Sequence, residues 1–418
     1  MARVFIETYG CTLNQADSDI IKAILQHELV ESEKDADVII LNTCTVKGTT
    51  ENRILDRMKS LGKPFVVAGC LSANEKRIRD FAPNAPIMGT SSLSSVNDAI
   101  NDALAGKPTV YKRAETKEHL PKIMSAPVMR VPINDGCLSS CNFCQTKLAR
   151  PFLRSFSPKK VVRWINDSVR QGAREIQLTS MDSGAYGHDI RTNLAELLGC
   201  IADDDSSDAQ TGYLVRLGMI NPDHARRFLP DLTRILKHDK FYKFLHIPVQ
   251  SGSEKVVREM NRDHSVRDFI EIADALRKEI PEITIATDII VGYPTETEED
   301  YQKTLQLLQQ TKPEIINLSK FSPRPGTRAR ELPQLLTEEI KRRSKQATEL
   351  ILGINRETRK ALIGNTYRVL ITESSPDYKG RNINYLQVVL KDFRGNLGES
   401  VDVRINDANH NSLFGDVI

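Results

Sequence analysis

Short apolar runs alternate with amphipathic stretches through the first hundred residues. Val4 to Thr8, Val38 to Leu41 and Phe65 to Ala68 read as strands, and Asp17 to Gln26 and Arg53 to Leu61 as the helices between them. A βαβαβ order of this kind predicts a parallel sheet whose right-handed crossovers bring every strand to the same edge. A connector from about Gly106 to Pro127 leads to a second series of strands. These are VMRVPI, then 175–180, 213–218, 244–250, 284–292 and 315–321, separated by helical periods over 159–171, 193–203, 265–279 and 297–310. Six βα units predict a barrel or an open fraction of one, with the polar strand ends on the face that carries function in such folds. After a helix from about Thr337 to Arg359 the period changes to two, at Tyr367, Val369 and Ile371, then Leu386 to Leu390 and Val401 to Ile405. That pattern predicts a small β-barrel of about 60 residues. The expected fold class is therefore α/β: an N-terminal parallel sheet domain over 1–108, a central partial (β/α)6 barrel over 123–355, and a terminal β-barrel over 358–418.

Composition narrows the class without fixing it. Apolar content of 40% and charged content of 27% belong to an ordinary globular chain. No apolar run approaches the roughly 18 residues of a membrane span, and MARVFIETYGC enters a strand without a signal-peptide core, so a cytoplasmic protein is expected. The net charge of +3 is too small to mark a nucleic-acid binder. Lys341, Arg342, Arg343 and Lys345 form the densest basic cluster, read as a solvated helix face. Over 358–418 eight Lys/Arg stand against seven Asp/Glu, so the terminal barrel carries no compositional sign of RNA binding.

Six of the seven cysteines change this picture. Cys11, Cys44 and Cys70 each follow one of the first three strands, in TYGC, LNTC and VAGC, so the predicted topology gathers them at one sheet edge. Cys137, Cys141 and Cys144 form a Cys-x3-Cys-x2-Cys loop in NDGCLSSCNFCQ, after the first strand of the second block. In a reducing compartment such spacing favours metal ligation over disulfides. Buried free cysteines are one alternative for the first set and structural zinc for the second. Zinc closes its site with four ligands, and no fourth Cys or His stands near the loop. A three-thiolate set suits an iron–sulfur cube with one iron open to a non-protein ligand. Cys200, in NLAELLGCIADD, is expected to be a packing residue.

The order of these blocks, together with the stretches TYGC, LNTCTV, AGC, GCLSSCNFCQ, LHIPVQSGSEKVVREMNR, DIIVGYPTETEEDY and SPRPGTRA, resembles the radical S-adenosylmethionine methylthiotransferases over essentially the whole chain. The terminal segment is similar to the TRAM domain of that family, which implies tRNA as a partner. LTSMDSGAYGHD resembles the archaeal and eukaryotic branch that converts N6-threonylcarbamoyladenosine at position 37 of tRNA to its 2-methylthio derivative. Sister branches act on isopentenyladenosine in tRNA or on an aspartate of a ribosomal protein. One departure is Pro151, after Arg150, where relatives often carry glycine.

The resemblance implies two [4Fe-4S] clusters, one on Cys11, Cys44 and Cys70 holding sulfur, the other on Cys137, Cys141 and Cys144 reducing S-adenosylmethionine to release a 5′-deoxyadenosyl radical. Carbon 2 of adenine is an unactivated C–H that proton transfer alone does not functionalise. Phe143, Ser180, Asp182 and Gln250 are the expected S-adenosylmethionine contacts. Partners are tRNA, a sulfur donor and an electron donor of the flavodoxin or ferredoxin type, with no membrane. A chain cut near Leu362 is expected to keep S-adenosylmethionine cleavage and to bind tRNA more weakly. A non-catalytic iron–sulfur RNA-binding or electron-transfer protein is the reading from another class, separated from an enzyme by whether 5′-deoxyadenosine is released.

Overall fold

The computed structural model describes residues 1–204 and 212–418. Its first sheet is parallel throughout, with strands β1 (Arg3–Thr8), β2 (Glu28–Leu29), β3 (Val38–Thr43), β4 (Phe65–Gly69), β5 (Ile87–Met88) and β6 (Val110–Tyr111) in the order β2-β1-β3-β4-β5-β6. Helices α1 (Thr12–Ile24), α2 (Gly48–Ser60), α3 (Glu75–Arg79) and α4 (Val96–Leu104) connect them. Every residue of β3 is buried, as a central strand covered on both faces should be. Its side chains alternate accordingly: Val38 and Ile40 pack with Ile20, Ile21 and Ile100, and Ile39 and Leu41 with Ile54, Leu55 and Met58. Strand order reverses direction between β1 and β3, and crevices for ligands form beyond the strand ends at such a switch.

The predicted strands fall where expected, but both helices start earlier, α1 at Thr12 rather than Asp17 and α2 at Gly48 rather than Arg53. The Gly106–Pro127 segment is not a free connector. Val110 and Tyr111 extend the sheet, and Lys117 and Lys122 are buried because Asp17 and Asp19 of α1 pair with them at 2.7 and 3.1 Å. A buried lysine is tolerable only when paired in this way.

The chain divides into two compact units. The first comprises Met1–Met124, Asn134–Ser157 and Ser322–Arg330, and the second Ser125–Ile133, Pro158–Phe321 and Glu331–Ile418. Strand β7 (Val128–Pro132) belongs to the second unit. The segment after it, with the antiparallel pair β8 (Asn134–Asp135) and β9 (Arg154–Ser155) and helix α5 (Thr146–Ala149), belongs to the first.

In the second unit β7, β10 (Glu175–Thr179) and β11 (Leu214–Arg216) form one parallel sheet, and β12 (Phe244–His246), β13 (Thr284–Val291) and β14 (Ile315–Lys320) another. A parallel bridge between Val215 and Phe241 joins them, so six strands run in chain order as an open barrel. Helices α6 (Pro158–Arg170), α7 (Leu194–Ala202), α8 (Pro222–Arg227), α9 (Leu229–Leu236), α10 (Glu254–Glu259), α11 (Val266–Glu279) and α12 (Glu298–Thr311) intervene. Ser265 with Asp268 and Thr297 with Asp300 make complete capping boxes at the starts of α11 and α12, within one residue of the helical periods read from the sequence.

Helix α13 (Thr337–Lys360) leads into a closed barrel, β15 (Thr366–Glu373), β16 (Tyr378–Asn382), β17 (Gln387–Leu390), β18 (Ser400–Ala408) and β19 (Leu413–Val417), around Val369, Ile371, Val388, Val403 and Ile405. The barrel seats Tyr385 against the rings of Tyr242 and Phe244, at centroid distances of 4.8 and 4.9 Å. Nor is the basic cluster of α13 uniformly solvated. Arg343 is buried between Glu296, at 2.8 Å, and Glu339, at 2.7 Å.

Candidate functional site

All six motif cysteines lie in the first unit. In the sheet register Thr43 pairs with Gly69, so Cys44 and Cys70 are neighbours one residue beyond β3 and β4. Thr8 pairs with Asn42, and Tyr9 and Gly10 then carry the chain across the strand end to Cys11, the N-cap of α1. Gly10 has φ +102°, and a Cβ there would stand 2.6 Å from the Cβ of Cys44 and 2.8 Å from its sulfur. Only glycine allows so close an approach. Cys44 and Cys70 are buried and Cys11 is exposed.

The second set is held by its own loop. Cys144 N–H donates to the Cys141 carbonyl at 3.1 Å, Lys147 caps the Cys137 carbonyl, and Ala329 N–H donates to the Asn142 carbonyl at 3.0 Å. Gly136, at φ +78°, lies so close to the Phe152 carbonyl that any side chain would collide with it. Phe143 is half-buried in this loop.

Around both sets runs a buried polar network that sequence reasoning did not find. Arg150 donates to Asp17 and Asp135 at 2.5 Å each and to Asn14 at 3.2 Å, and Lys117 pairs with Asp17 and Asp135 at 2.7 and 2.9 Å. Asn14 holds the first set in place, donating to the carbonyls of Tyr9 and Thr43 at 3.0 and 2.7 Å, with the Cys70 sulfur 3.5 Å from its Oδ1. The network therefore links the residues that bracket the Cys137–Cys144 loop to α1 and Cys70. Its signal in the sequence was slight: Asp135 and Arg150 flank the cysteine loop, but nothing in their spacing names Asp17 as a partner. Arg324, from SPRPGTRA, donates to the Thr45 carbonyl at 2.8 Å and pairs with buried Glu51, tying that motif to the turn after Cys44.

Electrostatics at the cysteines follow from burial. Burial raises the Cys44 thiol pKa against the pull of Arg324 and Arg150, and raises that of Cys70 to about 12 although Arg150 opposes it. The charge of Cys11 raises both, and burial together with Cys141 raises Cys144. For Asp135, burial works against the charge but Arg150 and Lys117 outweigh it, holding the carboxyl far below the usual range.

Such thiols ionise readily only beside a cation, and an iron–sulfur cluster with soft thiolate ligands is a group that supplies one. Each set offers three free thiols, none committed to a disulfide, and soft sulfur donors of that kind fit it. Among the described residues no group of three or more His, Cys, Asp or Glu side chains has closed into a metal-binding geometry. Cys200 is exposed on α7 rather than packed in the core, because its position falls on the solvent side of that helix.

In the second unit Ser180 follows β10, half-buried, with its hydroxyl 3.2 Å from that of Ser183. Asp182 is fully buried and accepts from Gly184 N–H and Asn221 N–H at 3.1 Å each and from Asn221 Nδ2 at 2.6 Å, with His224 Nδ1 at 2.9 Å. Its oxygens are thus engaged in fixing the turn that presents Ser180. Burial disfavours charge on His224, but Asp182 outweighs it and the pKa is raised. Gln250 sits at φ +70°, its N–H donating to the Asp288 carbonyl and its carbonyl accepting from Ile290 N–H. An outlier held by its surroundings at a strand end is the kind of strain found at functional sites.

Three family models match: "Radical SAM superfamily" over residues 131–308, "Uncharacterized protein family UPF0004" over 3–89 and "TRAM domain" over 360–418. The chain is 42% identical to a probable threonylcarbamoyladenosine tRNA methylthiotransferase of Archaeoglobus fulgidus, covering 99% of this chain and 98% of that protein. It is 37% identical to the one of Pyrococcus horikoshii over the full length of both, and 35% identical to the threonylcarbamoyladenosine tRNA methylthiotransferase of Drosophila melanogaster, spanning 78% of the latter. Among solved structures, the radical S-adenosylmethionine methyltransferase TsrM of Kitasatospora setae, with cobalamin and a [4Fe-4S] cluster, is similar in fold at TM-score 0.55 and 13% identity, covering 79% of this chain and 74% of that one.

Proposed function

The chain belongs to the threonylcarbamoyladenosine tRNA methylthiotransferase family, and from that premise we propose that it exchanges the C2 hydrogen of N6-threonylcarbamoyladenosine at tRNA position 37 for a methylthio group. It is a radical S-adenosylmethionine enzyme with two [4Fe-4S] clusters. Cys11, Cys44 and Cys70 hold one and Cys137, Cys141 and Cys144 the other. When bound, these clusters supply reductive cleavage of S-adenosylmethionine and the sulfur that ends on carbon 2. A sulfur donor and a flavodoxin- or ferredoxin-type electron donor complete the reaction, which takes place in the cytoplasm.

The observation that carries the reading is the placement of both cysteine sets in one compact unit, joined by the Arg150 network. Within it Asn14 and Gly10 set the spacing of the first set, and Lys147 and Gly136 shape the loop of the second. Phe143, Ser180 and Gln250 contact S-adenosylmethionine, and Asp182 does so through the turn it organises. The division of labour runs over 1–108 for sulfur insertion, 123–355 for the radical chemistry and 358–418 for tRNA.

Anaerobically reconstituted protein is the test, given reductant, sulfide and S-adenosylmethionine. tRNA bearing threonylcarbamoyladenosine should gain the methylthio group, read by nucleoside mass analysis, with isopentenyladenosine tRNA and the ribosomal protein left largely unmodified. Faster modification of either alternative would overturn the substrate. Absence of 5′-deoxyadenosine would overturn the enzyme class.

A further inference from the structure

Beside the cysteine sites the first unit contains a second concavity that the reaction described so far does not use. It has a volume of about 310 Å³, near the lower end of small-molecule pockets. Its lining includes the Thr90–Ser92 loop after β5, Lys112 and Arg113 after β6, and the Leu148–Arg154 arm that returns from the cysteine loop. The walls are tied together. Thr90 Oγ1 donates to the Ala149 carbonyl at 2.7 Å, Arg113 N–H donates to Ser92 Oγ at 2.6 Å, and Arg154 donates to the Glu115 carbonyl at 2.6 Å.

Two properties of the lining point to a ligand. Phe152 is 69% exposed, an unusual exposure for so large an apolar side chain, yet its backbone is pinned by Gly136 and precedes β9. A rigid backbone thus presents a bare aromatic ring at the rim. Lys112, Arg113 and Arg154 supply three cations there. Lys112 and Arg113 meet Glu75 and Glu115 only in solvent-exposed pairs, at 2.9 and 3.6 Å, which exchange partners at little cost. The lining carboxylate, Asp135, is already committed to Arg150 and Lys117.

An aromatic platform beside clustered cations is how proteins hold unpaired nucleotides, the base stacked and the phosphate neutralised. Ser72 and Ala73, two and three residues beyond Cys70, form part of the same wall. The occupant therefore lies next to the cysteine site rather than in it.

We propose that this cavity binds one unpaired nucleotide of the RNA substrate adjacent to the modified adenosine, its base stacked on Phe152 and its phosphate held by Lys112, Arg113 and Arg154. The proposal rests on the tRNA reading above. It makes the first unit a recognition surface for the anticodon loop as well as the seat of the cysteines.

The test uses full-length reconstituted protein and an anticodon stem-loop RNA bearing threonylcarbamoyladenosine, with iron content and thermal melting as fold controls. Phe152→Ala should weaken RNA binding about 10-fold without altering its salt dependence, and Phe152→Trp should restore it. Lys112→Glu with Arg113→Glu should weaken binding at least as much and flatten the salt slope by about 0.7, as expected when one fewer phosphate is neutralised. With the unaltered protein, photocrosslinking of 4-thiouridine placed beside the target should label the peptide containing Phe152. Wild-type affinity and slope in these variants, or crosslinks confined to other peptides, overturn the proposal while wild-type methylthiolation leaves the tRNA reading standing. Failure of the wild-type protein to bind or modify this RNA would instead remove the reading on which the proposal rests.

Discussion

Arg150 shows how much of a site can rest on one side chain that no motif singles out. It is buried with two carboxylates, Asp17 and Asp135, and removing one member of a buried ionic group leaves the others uncompensated, at a cost of about 3–5 kcal/mol. Arg150→Met should therefore lower unfolding free energy by that order in urea titrations. Arg150→Lys should recover only part, because a lysine cannot span both carboxylates with a planar fork. His224 gives a prediction in pH. Its folded pKa is raised, so its pairing with Asp182 stabilises fully below the unfolded value of about 6.5 and the contribution is lost as pH rises through the folded value. Melting temperature followed against pH should decline over that window in the wild type and decline less in His224→Gln. The six cysteines were legible because short spacing and strand ends are visible in one dimension. The Arg150 network was not, since Asn14 and Asp17 stand 136 and 133 residues from it and look like ordinary polar helix residues.

Elements were legible in proportion to their length and to the chemistry at their ends. Long helices with capping boxes, such as α11 and α12, declared their boundaries, whereas β2, β5 and β6 are two residues long and carry no periodicity. β16, YKGRN, lacks an apolar alternation and forms a strand only because β15 and β17 pair with it. Helix α13 exposes the weakness of reading charge as surface: four basic residues in five positions looked solvated, yet Arg343 among them is buried. Glu296 is buried and held by Arg343, so Arg343→Ala should destabilise the chain by about 3 kcal/mol or more. The neighbouring Arg342→Ala, on the exposed side of the same helix, should leave the melting temperature unchanged. Thermal melting of the two variants side by side separates a packed arginine from a solvated one.

On the scale of the whole molecule, linear domains and compact units do not coincide. The first unit recruits 134–157 and 322–330 from far along the chain, so a fragment ending near residue 108 lacks both cationic partners of Asp17 and leaves Glu51 without Arg324, and it should not give a cooperative unfolding transition. The terminal barrel is equally hard to detach. Tyr385 donates to Glu175 at 3.1 Å and packs on Tyr242 and Phe244, Lys243 N–H donates to the Ile383 carbonyl, and Asn384 bonds the Glu282 carbonyl. Truncation near Leu362 would bare that aromatic cluster and leave Glu175 short of a donor, so it tests stability together with RNA binding. Charge reversal on the intact barrel separates the two. Arg368, Lys391 and Arg394 are exposed and sit on the β15 strand and the loop after β17. Changing all three to Glu should leave iron content and melting temperature in place. If the barrel carries tRNA, affinity should fall and the salt slope should flatten by about 0.7 to 0.9 for each phosphate that is no longer neutralised. Unchanged affinity and slope would assign tRNA binding to the other surfaces of the chain, foremost the cavity beside Phe152.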